Sequence, residues 1–258
     1  PGRPIQLSLP FLGALALAVG CEGAKQPAPR PAASATVRVP QPIDKSVGYQ
    51  APKPIGDFSM TFYYVIGEDE VTPKVAAKAP KAAGEAELTS VAADPDQVTL
   101  YQKDCRPIAS VSREFATQLE IQGTGQLRDG RVLNVWGACK CGQDRCFTVT
   151  ASKWGTGGSG RPLQPFRTVA VDPKVIPLGT LLYVPLLEGR LMPGRPPWGG
   201  FVHDGCVVAD DTGGHIDGNR LDLFVGRRGY FLGLSGTGTR HYWAGHVQVF
   251  DGSKICRR

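Results

Sequence analysis

The chain has 258 residues, of which 33 are Gly and 22 are Pro, about one residue in five. That share is high for a helical protein and low for a low-complexity chain, while 41% hydrophobic and 20% charged residues exclude a wholly disordered polyampholyte. The formal charge is +6, and the lack of any run of 18 apolar residues excludes a bundle of membrane-spanning helices.

The N-terminal apolar run Leu7–Gly20 (LSLPFLGALALAVG) follows Arg3 and ends in small residues before Cys21. This is the pattern of a signal peptide, here residues 1–20. Leu17-Ala18-Val19-Gly20-Cys21 resembles a bacterial lipobox. Cys21 is then the lipidation site, and the expected location is the periplasmic face of an outer membrane or the envelope more broadly. Residues 21–57 read as a tether. Glu22–Asp57 contains seven Pro and shows no apolar periodicity.

The other cysteines are Cys105, Cys139, Cys141, Cys146, Cys206 and Cys256. Six in an exported chain read as up to three disulfides, and the sequence does not choose among the pairings. The cluster Cys139, Cys141, Cys146 leaves zinc as an alternative, but its spacing is not the paired C-x₂-C of structural zinc sites. The composition implies no metal and no organic cofactor. Basic charge on an exported chain suits an anionic cell-wall polymer better than nucleic acid, because no Lys/Arg run with interleaved aromatics exists.

From Met60 the chain reads as strands. Met60–Ile66 is aromatic and β-branched, Val71–Pro95 is a surface excursion, and Val98–Tyr101 is a short strand. Ser110–Leu119 places Val111, Phe115 and Leu119 at helical spacing, which predicts one short helix. Short apolar runs follow between Gly and Pro: Val132–Trp136, Cys146–Ala151, Thr168–Val171, Thr180–Val184, Cys206–Ala209, Leu221–Val225 and Gly245–Phe250. Many short strands with long loops between them predict a mainly β barrel or sandwich.

Acidic residues stand among apolar and Gly residues in AVDPKVIPLGT (170–180) and ADDTGGHIDGNRLDLF (209–224). Asp222 alternates with Leu221 and Leu223, so a strand puts its carboxyl on the opposite face. Partial desolvation there raises its pKa toward the range of a general acid. Gly213 and Gly214 let the backbone come close to a ligand.

These two segments resemble the 3D domain, named for three aspartates and found in the membrane-bound lytic murein transglycosylase A family. The matching positions are Asp172, Asp211 and Asp222. Glu120–Gly125, Thr61–Tyr64 and the stretch with Trp243 and Gly245 are similar to further segments of that family. The resemblance covers about residues 58–250, with a reduced insertion at about 103–160 and a C-terminal tail at 251–258. It implies a double-psi β-barrel and cleavage of the MurNAc–GlcNAc β-1,4 bond to a 1,6-anhydro product. It also implies Asp222 as acid/base, with Asp211 and Asp172 as supporting carboxylates. Gln122, Gly123 and Thr124 are then sugar-binding candidates beside Gly213 and Gly214. Trp243, Trp154 and Trp136 are candidates for stacking on sugar faces.

His215 and Asp217 stand where the family has a small and a basic residue, and Arg220 and His215 are candidates to tune Asp222. A non-catalytic peptidoglycan-binding module on the same barrel is the alternative, and a hydrolase is a third possibility.

Overall fold

In the computed structural model, the described residues are 51–71, 96–141, 144–235 and 241–257. The expected signal peptide, the lipidation site Cys21 and most of the tether lie outside them. Gln50–Arg258 is one compact unit.

The organising element is β1, Pro54–Gly67. Its aromatic and β-branched residues favour an extended chain, and Phe58, Met60 and Phe62 alternate into the core. It begins four residues inside the segment expected to be tether. The reason is pairing: Pro54 to Phe58 run antiparallel to Phe250–Val247.

The remaining strands are β2 (Gln97–Tyr101), β3 (Pro107–Ser112), β4 (Thr124–Gln126), β5 (Val132–Ala138), β6 (Arg145–Thr150), β7 (Thr168–Val171), β8 (Leu181–Tyr183), β9 (Cys206–Asp211), β10 (Arg220–Arg227) and β11 (Val247–Asp251). Together with β1, eight of them form one mixed sheet in the order β10-β7-β9-β8-β11-β1-β4-β5-β6, and β1 also pairs with β10. That extra pairing closes six strands, β10-β7-β9-β8-β11-β1, into a ring. The fold is therefore mainly β with a large mixed sheet.

The core of the ring is Leu221, Leu223, Val169, Val171, Leu182, Val249 and their neighbours, all fully buried. Truncating one such leucine to Ala costs about 2–5 kcal/mol through lost burial and the cavity left behind.

Beyond the ring, β1 carries the sheet into an arm. Ile66 and Gly67 pair in parallel with β4, which continues into β5 and β6. The hairpin β2–β3 and the helix α1, Arg113–Gln122, complete the arm over a second core of Phe115, Leu119, Leu133 and Phe147. The predicted helix exists but starts three residues later. Ser112, not Ser110, caps it, accepting a hydrogen bond from the Phe115 amide at 3.2 Å. Gly123 ends it at φ 75°, in the left-handed region that Gly tolerates.

The expectation of one helix is corrected. A second, α2, spans Arg228–Ser235. Gly229 and Gly233 hide it in the sequence, yet Gly233 packs closely, since a Cβ there would lie 3.0 Å from Pro193 Cβ.

The six cysteines form three disulfides: Cys105–Cys141, Cys139–Cys146 and Cys206–Cys256. The first two brace the arm. The third ties buried Cys256, beyond β11, to β9.

Candidate active site

Asp222 lies on β10 between Leu221 and Leu223, both wholly buried. The pleat therefore turns its carboxyl away from the core, into a cleft of about 970 Å³ between the ring and the arm. Its register partner on β1 is Thr61. The Thr61 hydroxyl donates to Asp222 Oδ1 at 2.8 Å. Its partner on the other side, on β7, is Ala170, whose small side chain leaves the cleft open.

Ala170 also explains how a second aspartate arrives. Between β7 and β9 the register slips, so that Val169 opposes Ala209 while Ala170 opposes Asp211. The extra residue in β9 is a bulge. It separates two adjacent acids. Asp210 is buried and pairs with Arg161 at 2.9 Å, whereas Asp211 lines the cleft. Asp211 and Asp222 thus flank one alanine, two strand spacings apart, about 10 Å between Cα atoms.

Three donors hold Asp211. The Tyr63 hydroxyl reaches Oδ2 at 2.6 Å, and the Gly158 and Thr212 amides reach Oδ1 at 2.8 Å each. Gly158 sits in the loop 155–160, where it and Gly157 have no room for a side chain. A Cβ at Gly157 would lie 2.4 Å from the Asp210 carbonyl oxygen, and one at Gly158 would lie 2.3 Å from Thr212 Cγ2.

Burial pushes the Asp222 pKa up to about 7, opposed by the Thr61 hydrogen bond and Arg220 and reinforced by Asp211. Burial, more than like-charge repulsion, is the larger cause. Burial also raises Asp211, against its three donors. A carboxyl that titrates near neutral pH can both give and take a proton under physiological conditions.

Asp172 stands elsewhere. It is not among the residues that line the cleft. Its two oxygens accept the amides of Lys174 and Gly218, each at 2.9 Å. These bonds hold its pKa below the usual carboxylate range. It clamps the turn after β7 to the loop before β10. Asp217 is exposed and likewise outside the lining, while His215 and Arg220 line it.

Gln122, Gly123, Thr124, Gly213 and Gly214 all line the cleft. Gln122 also accepts the Tyr64 amide at 2.9 Å, which joins α1 to β1. Thr124 is buried and accepts from Asn134 Nδ2 at 2.8 Å. The Thr156 amide bonds Asn134 Oδ1 at 2.9 Å, so this network locks the arm to the glycine loop.

The three tryptophans part company. Trp136 lines the cleft. Trp154 is buried against Trp198 and Phe224. Trp243 lies off the cleft lining, 5.4 Å from Phe62 and with the Arg190 guanidinium 4.0 Å from its ring centre. Its expected sugar contact therefore has no support from its position.

Sequence reasoning missed the hydroxyl of Tyr63, Asn134 and the Gly158 amide. The run Gly155-Thr156-Gly157-Gly158-Ser159-Gly160 was the available signal for the last.

Residues 167–242 match the family model of the 3D domain, and all three signature aspartates fall inside that stretch. The chain is also 34% identical over 96 residues to the membrane-bound lytic murein transglycosylase A of Vibrio cholerae. That alignment covers 37% of this chain and 25% of that protein, so the chain matches about a quarter of the relative's length. The resemblance read from the aspartate segments is thereby borne out.

Among solved structures, E. coli MltA with bound chitohexaose matches at 17% identity over 76% of this chain and 71% of that one, with a TM-score of 0.46. The lytic transglycosylase LtgG of Burkholderia pseudomallei matches at 19% identity over 75% and 70%, with a TM-score of 0.36.

Proposed function

We propose that this protein is a peptidoglycan lytic transglycosylase that cleaves MurNAc–GlcNAc β-1,4 bonds, and that its six-stranded ring is a double-psi β-barrel. The observation that carries the reading is Asp222, a carboxyl with pKa about 7 in an open cleft, with the hydrogen-bonded carboxylate Asp211 across the same alanine.

Protonated Asp222 gives its proton to the glycosidic oxygen as the bond to C1 of MurNAc breaks. The oxocarbenium-like centre that develops is cationic, and an ionised Asp211 stabilises it through space. The resulting Asp222 carboxylate takes the proton of the C6 hydroxyl as that oxygen bonds to C1. A 1,6-anhydro ring forms, Asp222 is protonated again, and no water is consumed. One titrating carboxyl suffices because the nucleophile belongs to the substrate.

Export and anchoring through Cys21 are part of the same proposal, as is a place in the cell envelope. Three disulfides suit an oxidising compartment.

The test is digestion of purified sacculi, with products read by mass spectrometry. Anhydro-ended muropeptides from wild type and none from Asp222→Asn are expected. Reducing ends would select a hydrolase. Sacculus binding with no released product would select the non-catalytic wall-binding module.

A further inference from the structure

The arm side of the cleft differs from the acidic side. Three large apolar residues lie exposed along it: Ile121, Trp136 and Val149, at 65%, 56% and 42%. Solvated apolar surface concentrated in one cleft marks a binding surface rather than a core. Arg145 and Glu120 line the same side, and no hydrogen bond or ion pair among the described residues engages either side chain.

Trp136 is held there by construction. Asn134 and Trp136 share one face of β5, and Asn134 is the buried residue that locks the arm to the glycine loop. Between Val135 and Gly137 the ladder to β6 slips, so Trp136 has no cross-strand partner. Gly137 has φ 135°, a conformation that L side chains rarely adopt. A bulge of this kind re-aims the side chain it carries.

Two disulfides then fix the strand end. Cys146 is the register partner of Gly137 and is bonded to Cys139, and Cys141 is bonded to Cys105. The Lys103 ammonium sits 4.9 Å from the Trp136 ring centre and braces it. Arg145 opens β6 opposite Ala138, two positions beyond Trp136. A large aromatic ring is thus presented at fixed height beside an unengaged guanidinium.

We propose that this stapled β5–β6 edge is a recognition platform for glycan strands that bear carboxylates, Trp136 stacking on a sugar face and Arg145 pairing with a carboxylate. The inference rests on the reading of the cleft as a glycan cleft and names what that cleft selects. An aromatic face suits the C–H face of a pyranose. A guanidinium fork suits a carboxylate, which it grips by two parallel hydrogen bonds. Two sources carry that group in peptidoglycan: the lactyl arm of unsubstituted MurNAc and the stem peptide. N-acetylglucosamine oligomers carry neither.

The experiment uses the full oxidised chain with Asp222→Asn, so that substrate is held and not turned over. Calorimetry measures binding of chitohexaose, of peptide-free glycan strands and of peptide-bearing strands. Trp136→Ala is expected to weaken all three about tenfold. Arg145→Ala is expected to lower the affinity ratio of carboxylate-bearing strands to chitohexaose about tenfold, with the difference shrinking at high salt. A drop already present for peptide-free strands assigns the carboxylate to the lactyl arm. A drop confined to peptide-bearing strands assigns it to the peptide. Both substitutions are on exposed side chains, and an unchanged melting temperature confirms the fold.

An unchanged ratio in Arg145→Ala, or unchanged affinities in Trp136→Ala, overturns the platform while leaving the glycan cleft intact. No binding to any of the three, together with no product from sacculi by the wild type, overturns the transglycosylase reading and the platform with it.

Discussion

The Tyr63 hydroxyl donates to Asp211 at 2.6 Å from the strand that also brings Thr61 to Asp222 at 2.8 Å. Positions i and i+2 of a strand share a face, so β1 delivers one hydroxyl to each acid. Tyr63 is itself buried against Phe224, and that burial, with Asp211 and Asp222 near it, holds the phenol neutral and donating.

Tyr63→Phe removes one of three donors from Asp211. The donors lower its pKa against burial, so losing one raises it further and disfavours the ionised form. Asp222 then loses a like charge that raises it, while Arg220 still lowers it. Its pKa falls. The alkaline limb of kcat against pH is expected to move to lower pH, with kcat down about tenfold and KM little changed. A profile of unchanged shape would mean the two acids are not coupled.

Thr61→Val acts on Asp222 directly and with the opposite sign. The lost hydrogen bond favoured the charged form. Without it the pKa rises, and the alkaline limb moves to higher pH. The cost in stability is about 1 kcal/mol, measurable by denaturant unfolding.

Asp222→Asn is expected to stabilise the protein, increasingly as pH rises. Burial raises the folded pKa to about 7, above the value of an unfolded aspartate. The unfavourable buried charge is absent at low pH, and the stability it costs is lost as pH climbs through that pKa. Melting curves at pH 5 and pH 8 check this. The variant's advantage is expected to open from about pH 4, to grow through pH 5 and to level off above about pH 7, so it is larger at pH 8 than at pH 5.

Asp172→Asn separates loop positioning from catalysis. Both oxygens of Asp172 accept backbone amides, so an amide group turns one acceptor into a donor facing a donor. Activity should fall through a looser loop before β10, while the pH dependence of what remains keeps its shape. A shifted profile would return Asp172 to the set of acids that tune Asp222.

The alternation Leu221-Asp222-Leu223 was enough to place Asp222 on an open face, because strand periodicity is local. The meeting of Asp211 with Asp222 was not legible, since it depends on a one-residue slip between β7 and β9 that neither segment marks by itself. Asp211 and Asp172 were given the same supporting role in sequence, yet Asp172 spends both oxygens on backbone amides. The helix α2 was hidden by its glycines, of which Gly233 packs closely against Pro193. Cysteine pairing was beyond reach for a combinatorial reason. Six cysteines allow fifteen pairings, and only the fold brings Cys206 to Cys256.

The ring closure has a mechanical consequence. β1 lies between β10 and β11, and the Asp251 amide bonds the Lys53 carbonyl at 2.8 Å where the strand enters. A load applied at Lys53 runs along the strand axis. It shears the β11 ladder over Pro54–Phe58 and, in line beyond it, the β10 ladder from Ser59 to Val65, with the bonds of each sharing the force rather than peeling open one by one. The neighbouring end of β11 is anchored in turn through Cys256 to β9. A domain pulled from this point would keep Thr61 opposite Asp222 until the whole strand slides.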